Sequence, residues 1–274
     1  RSEVLAATFY LSAFLLFQEC LDRGGPPKRE LKIFSFFIIP IAFILGFSVK
    51  QTVITLPVIL LLYFLFGQSL DSPLLRILNK WKWGIGVILL ISFSLLFRKL
   101  LTDESFLIGP STAGEDIGRL NYMLTQPSVV LFYYLKLFLF PINLNVDPDI
   151  QMVTEWWSWK FWSGLVAITG FIYFSYRVKG TRFLFFLVLW FLIVISPSSS
   201  IITLSDLAAE HRTYLASYAY YAILVILIYK LSHLVFSEHS SKRRFLLLNT
   251  CILLSIIFFL LTIQRNKIWT SEVL

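Results

Sequence analysis

Charged side chains are scarce in this sequence. Only 15% of its 274 residues are Asp, Glu, Lys or Arg, whereas soluble domains contain about 25%. Because 57% of the residues are hydrophobic and the mean hydropathy is +0.76, the chain lacks the polar surface that would cover a water-soluble globule of this size. The scarcity of charge argues against a soluble enzyme or binding module, and it predicts that lipid surrounds most of the chain.

Cysteine is also almost absent. Cys20 and Cys251 are the only two, and both lie in apolar segments, so the sequence indicates neither a disulfide framework nor a thiolate metal site. It contains no P-loop, no HExxH, no GxSxG and no CxxC pair. We therefore predict no metal ligands and identify no cofactor. The sequence does not exclude that the protein uses a divalent metal ion.

The excess of basic residues does not indicate a nucleic-acid partner. The chain has 24 Lys and Arg against 16 Asp and Glu, a net charge of +8. Its basic residues gather in short loops between apolar segments, where they set the orientation of a membrane protein. No recognisable nucleic-acid-binding module is present. We expect membrane lipid, and no nucleic acid, around this chain.

Long apolar segments make up most of the sequence. A membrane-spanning helix needs about 20 mostly apolar residues, and the sequence predicts eight such segments. They lie at 4–21, 33–49, 53–67, 83–97, 159–176, 183–197, 214–235 and 245–264. The predicted fold is an all-α, polytopic membrane helical bundle of about eight spanning helices. Residues 1–264 form its transmembrane domain, expected to be truncated at the N-terminus, and residues 265–274 begin a non-cytoplasmic tail.

A ninth apolar segment, 128–142, is predicted not to cross the membrane. Its length corresponds to about 22 Å at ~1.5 Å per residue, against ~30 Å of hydrocarbon. Lys136 lies within it and Pro141 ends it. We predict an interfacial or re-entrant helix.

The positive-inside rule then fixes the predicted orientation. Without a crossing at 128–142, all the strongly basic loops share the cytoplasmic side; these are 22–32, 68–82, 177–182 and 236–244. The non-cytoplasmic face carries the start of the chain, Lys50, 98–158, 198–213 and the C-terminal tail. Because the chain has no Asn-x-Ser/Thr sequon, a bacterial inner membrane is the favoured location.

The densest polar stretch is 205–214, at the mouth of a predicted span. Asp206 is predicted to cap that helix and to share a polar stripe with Glu210, Tyr214, Ser217 and Tyr221, at helical spacing. Glu210, His211 and Arg212 place a carboxylate, an imidazole and a guanidinium side by side, which suits recognition of a phosphate or a polar acceptor. A capped helix whose charges reach the membrane interface explains the pattern equally well.

Lys50 interrupts an apolar hairpin between two predicted spans. A lone lysine there suits an anionic headgroup, but a turn lysine is the favoured interpretation. The stretch 141–149 contains Asn and Asp before proline and is predicted to form a structural turn.

Eight stretches in order along the chain resemble one family. They are RSEVLAA (1–7), VKQTVITLP (49–57), LLLY (60–63), LTQP (124–127), LFPINLN (139–145), SPSSSII (196–202), EHRTYL (210–215) and RNKIW (265–269). Together they are similar to polytopic proteins that carry a glycosyltransferase-C membrane domain followed by tetratricopeptide repeats. The transmembrane O-mannosyltransferase-like proteins are the best-known members.

This resemblance implies a function and a set of site residues. The family transfers a sugar from a polyprenyl-phosphate carrier to a protein or lipid acceptor outside the cytoplasm. Its general base is an acidic pair in a loop that would precede Arg1, so the chain is expected to be a fragment without its catalytic residues. Carried over, the substrate-binding residues are Lys50, Glu210, His211, Arg212 and Tyr214, with Arg212 on the lipid phosphate. The family has Lys-Glu where this chain has Lys50-Gln51, which leaves the contact of that carboxylate unexplained.

Two other functions remain open. A non-catalytic membrane scaffold that presents tetratricopeptide repeats would lack the upstream acidic pair. A lipid or sugar-lipid transporter would place charges near the bilayer midplane and show inverted repeats, and the sequence shows neither.

Overall fold

The described part of the chain is helical. The computed structural model describes residues 2–22, 29–67, 118–141, 145, 148–177, 182–199, 204, 206–235 and 240–271. No strand occurs among these residues, which confirms the all-α class. The predicted span at 83–97 lies outside them.

Nine α-helices occur in the described ranges. They are α1 (Ser2–Asp22), α2 (Arg29–Val49), α3 (Leu56–Leu62), α4 (Arg119–Ser128), α5 (Leu135–Leu139), α6 (Trp159–Arg177), α7 (Arg182–Ile195), α8 (Ser217–Val235) and α9 (Ser240–Ser271). Shorter 3-10 turns lie at Gln51–Thr55, Ser196–Ser198 and Glu210–Thr213, and π-helical turns at Tyr63–Gly67 and Val129–Tyr134. Each predicted span that falls on described residues is mainly helical. The last helix continues to Ser271, beyond the predicted domain boundary at residue 264.

In the part of the chain that the structure describes, two helical stretches are long and apolar enough to cross a membrane. They are Ser2–Cys20 and Arg244–Gln264. Shorter apolar helices cover Phe37–Val49, Gln51–Phe66 and Arg182–Ser198. By length and composition, the two long stretches support association with a membrane. The larger number of crossings stays a prediction.

The predicted segment 128–142 has different bounds in the structure. The helical stretch begins at Arg119, because α4, the π turn Val129–Tyr134 and α5 follow one another without a break. Pro127 lies just before the π turn and has no N–H to donate, a common cause of such irregularity. The apolar pattern missed α4 because several of its polar side chains are buried against protein.

An aromatic cluster forms the centre of the core. Phe14 of α1 lies edge-on to Trp190 of α7, at 4.8 Å between ring centroids, and to Tyr63, at 5.1 Å. Tyr10 of α1 also packs edge-on against Trp190. Such pairs contribute about 0.5–1.5 kcal/mol beyond the burial of area. The hydroxyl of Tyr10 hydrogen-bonds Thr55 at 3.1 Å, which ties α1 to the turn that follows Lys50.

Candidate functional site

Five charged or titratable side chains meet at one end of this core. We call Glu3, Lys50, Asp206, His211 and Arg212 the charged cluster. The Lys50 ammonium forms an ion pair with the Glu3 carboxylate, and His211 Nε2 lies 4.0 Å from the same carboxylate. Arg212 Nη2 lies 3.6 Å from the Asp206 carboxylate. Three separate segments of the chain therefore contribute to one charged cluster.

Lys50 is held by the turn in which it lies. Helix α2 ends at Val49, and Lys50 adopts extended backbone angles before the 3-10 turn begins. Its N–H donates to the carbonyl of Gly46 at 2.9 Å, and its carbonyl accepts from Val53 at 3.2 Å. Val53 is fully buried beneath this turn, so the backbone of Lys50 is fixed against the core. Its side chain is only 20% exposed.

Arg212 is the most buried member of the charged cluster. Its side chain is 7% exposed, and Nη1 donates to the backbone carbonyl of Asp206 at 3.0 Å. The Tyr122 hydroxyl donates to the carbonyl of Ser198 at 2.6 Å and lies close to the Arg212 side chain. A buried guanidinium needs several acceptors at once, and the planar fork of arginine provides the matching donors.

The predicted cap and polar stripe are wrong. Helix α8 begins at Ser217, not near residue 206, and Ala209 has an extended backbone with φ −150° and ψ 134°. Asp206 therefore cannot cap α8, and the segment from 206 to 214 does not follow one helical face. The physical reason is that Asp206 accepts from and pairs with Arg212, which requires the chain to turn back between them.

The structure separates the five predicted site residues. Lys50, His211 and Arg212 lie together in the charged cluster. Glu210 accepts a hydrogen bond from the backbone N–H of Asn145 at 2.6 Å, so it links the cluster segment to the stretch 141–149. Tyr214 is 49% exposed, and its side chain has no hydrogen bond or ion pair with another described residue.

Sequence reasoning missed Glu3, and it gave Asp206 the wrong role. A usable signal existed for both. The predicted orientation placed the start of the chain, the Lys50 turn and 198–213 on one face, and a carboxylate in the first turn of α1 is a natural partner for a lysine on that face. Tyr122 had no such signal, because its part of α4 was not predicted as helix.

Burial and like charge shape the protonation of the charged cluster. Removal of the ammonium from water and the nearby Arg212 guanidinium lower the pKa of Lys50 to about 8, although the Glu3 carboxylate acts in the opposite direction. Burial, Lys50 and Arg212 lower the pKa of His211, against a smaller opposing effect of Asp206. At neutral pH, Lys50 and Arg212 are therefore the cations of the cluster, and the imidazole is mostly neutral.

A divalent metal does not fit these residues. Metal ions of this kind prefer several carboxylate or carbonyl oxygens, but Glu3 and Asp206 are each paired with a basic side chain. Within the described ranges, no group of three or more His, Cys, Asp or Glu residues is placed to hold a metal ion.

Comparison with protein-family models, with characterised proteins and with solved structures gives no match. The residues of the site are therefore the only guide to its chemistry. A guanidinium and an ammonium at the end of an apolar helical core are suited to bind an anionic oxygen group.

Proposed function

We propose that this chain is part of a polytopic membrane glycosyltransferase with about eight spanning helices. It would transfer a sugar from a polyprenyl-phosphate carrier to a protein or lipid acceptor on the non-cytoplasmic side. The observation that carries this proposal is the closeness of two cations: Glu3 pairs with Lys50 and lies 4.0 Å from His211, the neighbour of Arg212, and Lys50 feels the charge of Arg212. In this proposal the two cations, Lys50 and Arg212, bind the carrier phosphate.

The location of the charged cluster supports this assignment. Glu3 lies in the first turn of α1, and Lys50 directly follows α2. The cluster therefore lies at the ends of helices and not at their middle. In a bundle that spans a membrane, the helix ends are where a lipid headgroup lies. The same segments were predicted to share the non-cytoplasmic face from the distribution of basic loops.

An apolar cavity supports a lipid-linked substrate. It has a volume of about 400 Å³ and is lined by residues of the α4–α5 stretch, α6, α7 and α8. Among the lining residues are Leu135, Phe171, Val188 and Ile223. Such a surface accepts hydrocarbon without unsatisfied polar groups, so it is suited to part of a polyprenyl chain.

A non-catalytic scaffold is the second candidate. Lys50 and Arg212 each already have a carboxylate partner, and a cluster of this kind can serve only to hold segments together. Under this alternative the charged cluster ties α1, the Lys50 turn and the 206–213 segment, and binds no donor.

Sugar transfer by the full-length protein tests the proposal. The protein is placed in membranes with a radiolabelled polyprenyl-phosphate sugar, and label in acceptors is counted. We expect Glu210→Gln to lower transfer about fivefold, because the charge-assisted hydrogen bond from Asn145 becomes a neutral one, a loss of roughly 1 kcal/mol. Asp149→Asn removes an exposed charge from the same loop region and should leave transfer unchanged. If inserted wild-type protein transfers no sugar from any polyprenyl-phosphate donor, the scaffold is the better assignment.

Donor affinity should depend on the protonation of Lys50. The pKa of Lys50 is lowered to about 8, so the ammonium is present below that pH and is lost as the pH rises through it. We therefore expect the KM for the donor to rise between pH 7 and pH 9. Lys50→Arg keeps a positive charge over this range, so its KM should stay level. An equal rise in both proteins would remove Lys50 from the phosphate site.

A further inference from the structure

The Glu3 carboxylate lies between two residues of the charged cluster. It contacts the Lys50 ammonium and is 4.0 Å from His211 Nε2. Its side chain is only 20% exposed. These contacts cross between α1, the Lys50 turn and the 3-10 turn Glu210–Thr213, so Glu3 is the point at which the three segments meet.

Lys50 needs a negative partner to remain charged in this environment. The ammonium is largely removed from water and lies near the Arg212 guanidinium, and both effects favour the neutral amine. His211 adds no stabilising negative charge. Asp206 is engaged by Arg212 through both its carbonyl and its carboxylate. Among the described residues, Glu3 is therefore the carboxylate in direct contact with the Lys50 ammonium.

We propose that Glu3 is a positioning residue, whose carboxylate keeps the Lys50 ammonium charged and in place beside Arg212 for binding of a phosphate. This inference rests on the proposed function, because it assigns Glu3 a role in the donor site of that reaction. It predicts that Glu3 acts on the substrate only through Lys50. Its effect is thus on the affinity for the donor rather than on the rate of the chemical step.

The pH dependence of donor KM in the full-length protein tests this role. Loss of a contacting carboxylate should shift the pH at which KM rises by about 1–2 units to the acid side in Glu3→Gln. At pH 6, at least about half of Lys50 is charged again, so the KM should move back toward the wild-type value, with kcat unchanged. Glu3→Asp keeps the charge on a shorter side chain and should show a smaller shift. Glu155→Gln removes an exposed carboxylate outside the cluster and should show none.

A direct titration of Lys50 separates this inference from the proposed function. The rate at which an amine-acylating reagent modifies Lys50 is measured against pH by mass spectrometry, without donor. A midpoint about 1–2 units lower in Glu3→Gln than in wild type is the expected result. An unchanged midpoint would overturn the role of Glu3, whatever the transfer assay gives. A shifted midpoint in a protein that transfers no sugar would overturn only the proposed function.

A purely structural role for Glu3 gives a different pattern. An acidic residue in the first turn also stabilises α1 through the helix dipole. If that were its only role, Glu3→Gln would lower the amount of folded protein, and the remaining protein would keep the wild-type pH midpoint for both KM and Lys50 modification. That outcome would also overturn the inference.

Discussion

Arg212→Lys is expected to reduce sugar transfer by about 100-fold, through a higher KM for the polyprenyl-phosphate donor. Truncation of a buried, hydrogen-bonded charged group costs about 2–5 kcal/mol, and loss of the guanidinium hydrogen bonds with the charge kept is expected near the low end, about 2.7 kcal/mol, which corresponds to a factor of 100. The measurement is initial transfer rate against donor concentration, with full-length protein in membranes. The effect should exceed that of any other single change in the charged cluster.

The reason lies in the geometry of the guanidinium. Arg212 interacts with the carbonyl and the carboxylate of Asp206 and with the hydroxyl of Tyr122. The two contacts to Asp206 hold both Nη1 and Nη2, so the protein fixes the plane of the guanidinium and the direction of its remaining N–H donors. A lysine ammonium is a compact charge on a flexible stem and cannot reproduce this arrangement. Conservation of charge alone is therefore not expected to preserve donor binding.

Arg119→Lys is the matched control for this experiment. Arg119 is exposed at the start of α4 and is not part of the charged cluster, so the same substitution should leave the donor KM unchanged. A wild-type KM for Arg212→Lys would show that the guanidinium only holds Asp206 and Tyr122 in place. A fall in kcat with no change in KM would place Arg212 in the chemical step instead.

The apolar pattern predicted the helices well, because a hydrophobic run longer than about fifteen residues has few other structures open to it. It failed where polar side chains are buried by protein. Gln126 is 2% exposed, and its Nε2 donates to the carbonyl of Leu207 at 3.0 Å. From the sequence, a polar residue such as Gln126 is predicted to be exposed to solvent. The hydrogen-bond partner that makes its burial possible is 81 residues away and cannot be identified from the local sequence.

The candidate site was predictable in part for a related reason. Lys50, His211 and Arg212 stand out locally, as charges next to apolar segments. Glu3, the partner of Lys50, does not stand out, because the Glu3–Lys50 contact joins residues that are distant in sequence and depends on how α1 and α2 pack. Asp206 shows the opposite error. Its spacing from Glu210 fits a helix, but pairing with Arg212 bends the backbone away from that path.

The close packing of α6 against α4 is a further feature that no sequence pattern revealed. A Cβ atom added at Gly164 would lie 2.3 Å from the carbonyl oxygen of Pro127 and 2.8 Å from the backbone nitrogen of Ser128. These are backbone atoms, so no side chain can rotate to relieve the clash. Only glycine allows the two helices to approach this closely.

Gly164→Ala is therefore expected to destabilise the protein by about 3 kcal/mol, the upper part of the range for an overpacked core. At roughly 2–4 °C per kcal/mol for a chain of this size, the unfolding midpoint should fall by about 6–12 °C. Thermal unfolding of the full-length protein in detergent, followed by intrinsic tryptophan fluorescence, measures the shift. Gly170→Ala is the control, because a Cβ there meets nothing within 4 Å. It should leave the midpoint unchanged or raise it slightly, since alanine favours the helix.

The same substitution connects packing to the candidate site. Pro127 and Ser128 belong to α4, whose Tyr122 and Gln126 contact the stretches around Ser198 and Leu207. A displaced α4 would move Tyr122 away from Arg212 and disturb the bond from Gln126 to Leu207, next to Asp206, so folded Gly164→Ala protein should also bind the donor more weakly. A lower unfolding midpoint with an unchanged donor KM would show that α4 supports the fold but does not position the charged cluster. An unchanged midpoint would contradict the close approach of the two helices.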